Sequence, residues 1–258
     1  MADEPIIEVK DLVAGYEDTV ILQDINFEVR RGEVFAVLGG SGSGKTTLLK
    51  NMIGLQKPLR GVILIDGTDV VAAEGEERLR VLKKIGVAYQ SGALFGSMSV
   101  LTNVALPLEE FTDLPRRAID MIAQMKLKAV GLQGAAYKMP SELSGGMRKR
   151  AAIARALAMD PKILFLDEPS AGLDPITSAQ LDELILQLSR DLQITFVIVT
   201  HELPSILTVA DRVIMVDKDA RTVIATGTPQ ELRDQSANPV VRRFFNRQLG
   251  RDVRIDNG

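Results

Sequence analysis

Eight consecutive residues, Gly39-Gly40-Ser41-Gly42-Ser43-Gly44-Lys45-Thr46, satisfy the spacing G-x-x-x-x-G-K-[ST]. Glycines at these positions let the backbone pass close to a ligand, so successive N–H groups converge on phosphate oxygens at the positive end of a helix dipole. In such a cradle Lys45 reaches β- and γ-phosphates and the Thr46 hydroxyl ligates Mg²⁺, with Thr47 next along the same turn. Phosphate chemistry also needs acids to handle metal and water, and Asp167-Glu168 closes an apolar run where both tasks arise. Asp167 would hold the metal through its shell, and Glu168 would take a proton from water. The chain's single histidine, His201, ends another apolar run, a position that favours a γ-phosphate contact. Gln90 also follows a short apolar run. Its place suits Mg²⁺ or a water, although a lone glutamine more often reads as a solvated loop residue. Tyr16 either stacks on a purine or packs at a turn, and spacing leaves both open. Ser144-Gly145-Gly146 starts a helix with bare amides beside Arg148, Lys149 and Arg150. That stretch is either a second anion site or a capped helix with a solvated basic face.

These residues need strands to deliver them and helices to receive them. The runs 34–38, 162–166 and 194–200 have the length and apolar continuity of strands buried on both faces, with 85–89 a shorter one. Residues 6–38 show period-two alternation and look antiparallel, and the strand 61–65 enters a tight Asp66-Gly67 turn in the same lobe. From 91 to about 138 the strand signal stops. Residues 115–130 carry Ile119, Ile122, Ala123 and Leu127 at helical spacing, and 99–108 is a shorter mixed segment. A helix from 144 to about 159 follows. Another, ending near 190, turns Leu181, Leu184, Ile185 and Leu188 inward. Val213 to Val216 and Val223 to Ala225 complete the sheet, and two short helical segments lead to the end of the chain. The fold class is therefore α/β, with an antiparallel portion and a mostly helical insert.

Composition fits this reading. In 258 residues, 46% hydrophobic and 25% charged, one large core or one core with an inserted subdomain can form. A net charge of −3 argues against a nucleic-acid partner, which needs a concentrated basic face. With no cysteine, disulfides and thiolate metal sites are excluded. No apolar run approaches the ~18 residues of a membrane span, and the first five residues lack signal-peptide character, so a cytosolic location with membrane roles through partners is expected.

Taken in order, these motifs resemble the nucleotide-binding subunits of ABC transporters, over nearly the whole chain. Tyr16 matches the A-loop, residues 39–46 Walker A, Gln90 the Q-loop, and Leu143 to Met147 the signature motif. Residues 162–168 match Walker B with its glutamate, Leu173-Asp174 the D-loop, and His201 the switch histidine. The resemblance implies a P-loop NTPase with a RecA-like core, an antiparallel β subdomain and an inserted α-helical signature subdomain. It implies an ABC domain over 6–245, with 6–90 and 160–232 as core and 91–159 as helical subdomain; beyond the family pattern, residue spacing adds a tail helix over 238–258. ATP and Mg²⁺ are the implied ligands. Nucleotide contacts fall on Tyr16, Gly39, Gly40, Ser41, Gly42, Ser43, Gly44, Lys45, Thr46, Thr47, Gln90, Ser144, Gly145, Gly146 and Asp174. Metal contacts fall on Thr46, Gln90 and Asp167, and catalysis on Glu168 and His201. Two copies are expected to pack head to tail, each ATP lying between one Walker A and the other copy's Ser144-Gly145-Gly146.

Residues 89–95 and 138–147 are further similar to the ATPases of Mla (MCE-associated) phospholipid transporters of Gram-negative envelopes. The implied partners are permease subunits, an MCE-domain lipid-binding subunit and a small accessory protein, and the implied place is the cytoplasmic face of the inner membrane. ATPases of polar amino-acid importers share nearly the same length and motifs, and soluble non-transport members form a further alternative. Met147 departs from the family's usual glutamine, and a thioether donates no hydrogen bond. Ala171-Gly172 departs from the usual D-loop wording. Gly92, Ala93, Leu94, Phe95 and Met98 suit a docking surface for a permease helix. Val241, Phe245 and Leu249, with Phe244 beside them, form a tail stripe that wants burial, either on the parent domain or on a partner.

Overall fold

The computed structural model describes residues 5–17 and 19–246. Its first two strands, β1 (Pro5–Tyr16) and β2 (Thr19–Arg30), form an antiparallel pair. Strand β3 (Val34–Leu38) then leaves that pair for a second sheet, so the antiparallel pattern read over 6–38 stops at Arg30. The reason lies in its composition. All five β3 residues are apolar and buried, which suits the centre of a parallel sheet covered on both faces and not a half-solvated edge. After α1 (Lys45–Met52), strands β4 (Arg60–Ile65) and β5 (Thr68–Asp69) return to the first sheet, whose order is β2-β1-β4-β5. Asp66 and Gly67, both at positive φ, turn β4 into β5.

Helix α2 (Gly75–Leu82) leads to β6 (Ile85–Ala88), and three helices follow: α3 (Val100–Phe111), α4 (Arg116–Ala129) and α5 (Gly145–Ala156). The segment read as mixed over 99–108 is in fact α3, with Pro107 inside it. Ser99 caps its first turn by accepting from Thr102 N, and the buried Asn103 side chain donates to the carbonyls of Phe95, Met98 and Ser99. In α4 the helical-period residues Ile119, Ala123 and Leu127 are buried. The remaining elements are β7 (Ile163–Asp167), α6 (Pro175–Leu192), β8 (Thr195–Val199), α7 (Leu203–Val209), β9 (Arg212–Val216), β10 (Val223–Gly227), α8 (Pro229–Gln235) and α9 (Pro239–Phe245).

The second sheet runs β10-β9-β3-β8-β7-β6, parallel except for β10. Alternation along its strands sorts the core into layers. Phe35, Val37, Phe165, Val197 and Val199 face α1 and the antiparallel sheet, whereas Leu164, Leu166, Phe196 and Ile198 face the side that α5 and α6 cover. Leu181, Leu184, Ile185 and Leu188 of α6 are buried there, as their spacing predicts. Val241 and Phe245 of α9 pack with Leu232 against Leu38, Leu203, Ile206 and Met215, so the described part of the tail stripe is buried on its own domain. Leu249 lies outside the described residues. One carboxylate fastens the two sheets: Asp66 accepts from Lys84 Nζ (2.7 Å), Lys162 Nζ (2.8 Å) and the Arg31 guanidinium, groups that stand just before β6, β7 and β3.

Candidate functional site

The parallel strands all point their C-terminal ends the same way, which is where open α/β sheets collect ligands. At that edge β3 releases the chain into the glycine loop, β6 into Gln90, β7 into Asp167 and Glu168, and β8 into Thr200 and His201. Gly44 shows why the loop needs glycine. Its φ is 93°, and a Cβ there would stand 2.8 Å from Leu22 Cγ and 2.9 Å from Ile21 Cγ2. Lys45, only 8% exposed, donates to the carbonyls of Gly39 (2.8 Å) and Gly40 (3.0 Å), so the loop curls around its own lysine. Burial pulls the Lys45 ammonium below its ordinary range, opposed by the nearby charges of Glu168 and Asp167. Buried Ser43 has no partner for its hydroxyl among the described residues, and that oxygen lies 2.3 Å from where a Cβ on Gly39 would project. A glycine-lined cradle containing an unsatisfied hydroxyl and a desolvated ammonium is suited to phosphate.

Asp167 is half-buried, and its carboxyl is pushed up first by burial and then by the charge of Glu168, against the pull of Lys149, Lys45 and Lys50. Thr46 is exposed, with no hydrogen bond to its hydroxyl among the described residues, and Gln90 lines the same cleft as Asp167. This oxygen-rich set with a single carboxylate fits Mg²⁺, which keeps waters and phosphate oxygens as its other ligands. The described residues hold no cluster of three or more His, Cys, Asp or Glu.

Glu168 itself has φ of 46°, a left-handed conformation uncommon outside glycine. Several partners hold it. Its N–H donates to Val199 O (2.8 Å), its carbonyl accepts from Lys149 Nζ (3.0 Å), and its carboxylate meets His201 Nδ1 at Oε1 (2.8 Å) and the Thr200 hydroxyl at Oε2 (3.1 Å). Lys149 Nζ also donates to Gln90 O (2.5 Å), so one ammonium on α5 bridges the loops after β6 and β7. Burial lowers the Lys149 ammonium while Asp167 and Glu168 raise it. Tyr16, 46% exposed, sits over α1: its phenol oxygen is 3.5 Å from the Thr47 hydroxyl, and Lys50 Nζ lies 6.0 Å from the ring centroid. The Thr47 hydroxyl holds the phenol below its ordinary range, against burial and with help from Lys50. The open ring face lines a depression with Lys50, Leu55 and Gln56.

Ser144, Gly145, Gly146 and Asp174 form a second group, where the N-termini of α5 and α6 abut. Ser144 caps α5 by accepting from Met147 N (3.2 Å), and a Cβ on Gly146 would stand 2.5 Å from Thr177 Cγ2. The Asp174 carboxylate is used within the chain as the cap of α6, accepting from Ile176 N (3.1 Å), Thr177 N (3.0 Å) and the Thr177 hydroxyl (2.6 Å). Those Thr177 bonds depress its pKa. Among the described contacts none joins this group to Lys45. Sequence reasoning did not single out Thr200, and it placed Lys149 with Arg148 and Arg150 as support for either a second anion site or a solvated helix face.

Residues 22–171 match the sequence profile of the ABC transporter family. Over 253 residues, 98% of this chain and 95% of the relative, the chain is 44% identical to the Haemophilus influenzae intermembrane phospholipid transport system ATP-binding protein MlaF. It is 43% identical, over 95% of its length and 70% of the relative's, to the probable ribonucleotide transport ATP-binding protein mkl of Mycobacterium leprae. Among solved structures, the post-hydrolysis dimer of the ATP-binding cassette MJ0796 bound to ADP and Pi superposes with a TM-score of 0.77 at 30% identity, covering 86% of this chain and 98% of that one.

Proposed function

This chain belongs to the ABC transporter family and is an ATP hydrolase, and from that premise we propose that it powers a phospholipid transporter from the cytoplasmic face of an inner membrane. The observation that carries the lipid reading is the 44% identity to the Haemophilus phospholipid-transport protein across nearly the full length of both chains. The mycobacterial relative, named for ribonucleotide transport, is matched over 70% of its length. No described helix is long and apolar enough to cross a membrane, so the partners supply the membrane part: permease subunits, an MCE-domain lipid-binding subunit and a small accessory protein. Phe95, half exposed in the loop before α3, together with exposed Ala93 and partly buried Met98, offers the permease its docking surface; Gly92 is buried and Leu94 packs against the core under α3 and α5, so the surface is narrower than the segment read from sequence.

Each chain supplies one half of two sites. Tyr16 stacks on adenine, the 39–46 loop and Lys45 take the phosphates with Thr47 behind them, and the second copy closes the site with Ser144, Gly145 and Gly146. Asp174 adjoins that contact. The dimeric state of the ADP-bound relative supports this division. Thr46, Asp167 and Gln90 would hold Mg²⁺, which would supply neutralisation of phosphate charge. Hydrolysis is an in-line attack: a water oxygen bonds to the γ-phosphorus, the bond to the β–γ bridging oxygen breaks, and ADP leaves. Glu168 accepts the water proton, while Lys45 and His201 stabilise charge on the transferring group. Residues 6–90 and 160–232 act as the core and 91–159 as the helical subdomain, with Lys149 as a cation joining them.

Purification of the full chain from its native membrane with its bound subunits tests the transport reading. An MCE-domain protein bound together with a permease is expected. A periplasmic amino-acid receptor, or no membrane subunit at all, would overturn it.

A further inference from the structure

Thr200 is the last residue that β8 delivers before His201, and it is 1% exposed. Its backbone is fixed to the sheet by an N–H bond to Val37 O (3.2 Å). Its hydroxyl oxygen accepts from Glu202 N (3.1 Å), which leaves the single hydroxyl hydrogen for one acceptor, Glu168 Oε2 at 3.1 Å. That donation fixes which oxygen of Glu168 is engaged. Oε2 is held by a hydroxyl whose oxygen the Glu202 amide keeps in place, whereas Oε1 meets the half-exposed imidazole of His201. The two carboxylate oxygens therefore differ: one is anchored to the sheet, and the other meets a half-exposed side chain.

We propose that Thr200 is a positioning residue for hydrolysis, its hydroxyl anchoring Oε2 of Glu168 so that Oε1 is presented to the attacking water. The anchor is needed because Glu168 starts from a left-handed backbone position and carries a side chain with three rotatable bonds. Without the hydroxyl the carboxylate samples several rotamers, and a base displaced from its water loses rate without any change in nucleotide binding. The inference rests on Glu168 being the proton acceptor, an assignment with its own test.

Steady-state ATPase activity of the full chain in its transport complex is measured for T200V, T200S, E168Q and the T200V/E168Q double variant. Valine keeps the shape and removes the hydroxyl. T200V is expected to lower kcat about tenfold or more with KM for ATP unchanged, the scale of one hydrogen bond to a charged group. T200S, which keeps the hydroxyl, is expected to restore most of the rate. In the E168Q background T200V should cost nothing further, because the group it positions has already lost its function. If T200V fails to fold, T200A removes the same hydroxyl and carries the same expectations. Unchanged kcat in the hydroxyl-free variant, with E168Q inactive, overturns the role of Thr200 alone. A loss that persists undiminished in the E168Q background also overturns it, since Thr200 would then act elsewhere. Near-normal turnover by E168Q instead removes the base assignment beneath the inference.

Discussion

Replacing Asp66 by Asn keeps the side-chain shape at the junction of the two sheets and removes its charge. In the native chain the carboxylate gathers Lys162, Lys84 and Arg31, which stand at the starts of β7, β6 and β3, and these bonds, Lys162 first, hold it well below the usual carboxylate range. Hydrogen bonds to charged groups contribute about 1.5–3 kcal/mol each. The side chain of Asp66 is 13% exposed, but those of Arg31, Lys84 and Lys162 are 33%, 28% and 52% exposed, so solvent screening reduces the sum. We expect a net loss of roughly 2–3 kcal/mol, and at about 2 °C per kcal/mol for a chain of this size a fall in Tm of about 4–6 °C. The pH dependence has a definite sign. A carboxyl depressed in the folded state contributes fully above its unfolded pKa of about 4, and that contribution is lost as pH falls towards the folded value. Thermal unfolding of both proteins followed by circular dichroism should thus show a constant gap from pH 7 to about 5 that closes below about pH 4. Asp66 lies one strand length, about 15 Å, from the catalytic edge, so ATPase activity at 25 °C should be unaffected. Equal Tm values at pH 7, or a gap that widens in acid, would refute the reasoning.

In K149M the apolar stem is retained while the bridge between Gln90 O and Glu168 O is lost; kcat should fall about five- to tenfold with little change in KM, measured by steady-state phosphate release. In G146A the added methyl would meet Thr177 Cγ2 at 2.5 Å, so ATPase activity should drop at least tenfold. Adding T177S removes that methyl while keeping the hydroxyl bond to Asp174, and should restore the rate; failure of this rescue would show that the clash is not the cause. F95D should leave ATP affinity intact and uncouple hydrolysis from transport in reconstituted vesicles, and unchanged transport per ATP would place the permease contact elsewhere.

Much of this arrangement could be read from the chain because its strongest signals are local. The five apolar residues of β3 and the inward stripe of α6 declare their burial through run length and period, and the glycine spacing at 39–44 declares its loop. The missed features depend on distant partners. Helix α3 was obscured by Pro107 and by Asn103, whose amide gathers three carbonyls in a way no periodicity encodes. Thr200 meets Glu168 across 32 residues because β7 and β8 are neighbours in the sheet, and nothing in a lone threonine announces that. Lys149 reads as one of three cations of an anion site or of a solvated helix face until folding brings it to carbonyls 59 and 19 residues away. Asp66 reads as a hairpin residue, which it is, but its three cations come from three separate strand starts.

The division of each site between two copies can be tested by complementation. K45A disables the phosphate cradle and S144R blocks the face that closes on the partner's nucleotide, so each variant alone should be inactive. Coexpressed in equal amounts with the membrane subunits, they form mixed dimers in which one site carries both lesions and the other carries neither. Composite sites then predict that ATPase activity returns, to about one quarter of the wild-type rate if intact sites work independently and half of the dimers are mixed. If Lys45 and Ser144 of the same chain served one site, every site in the mixture would carry a lesion, and an inactive mixture would contradict the head-to-tail arrangement.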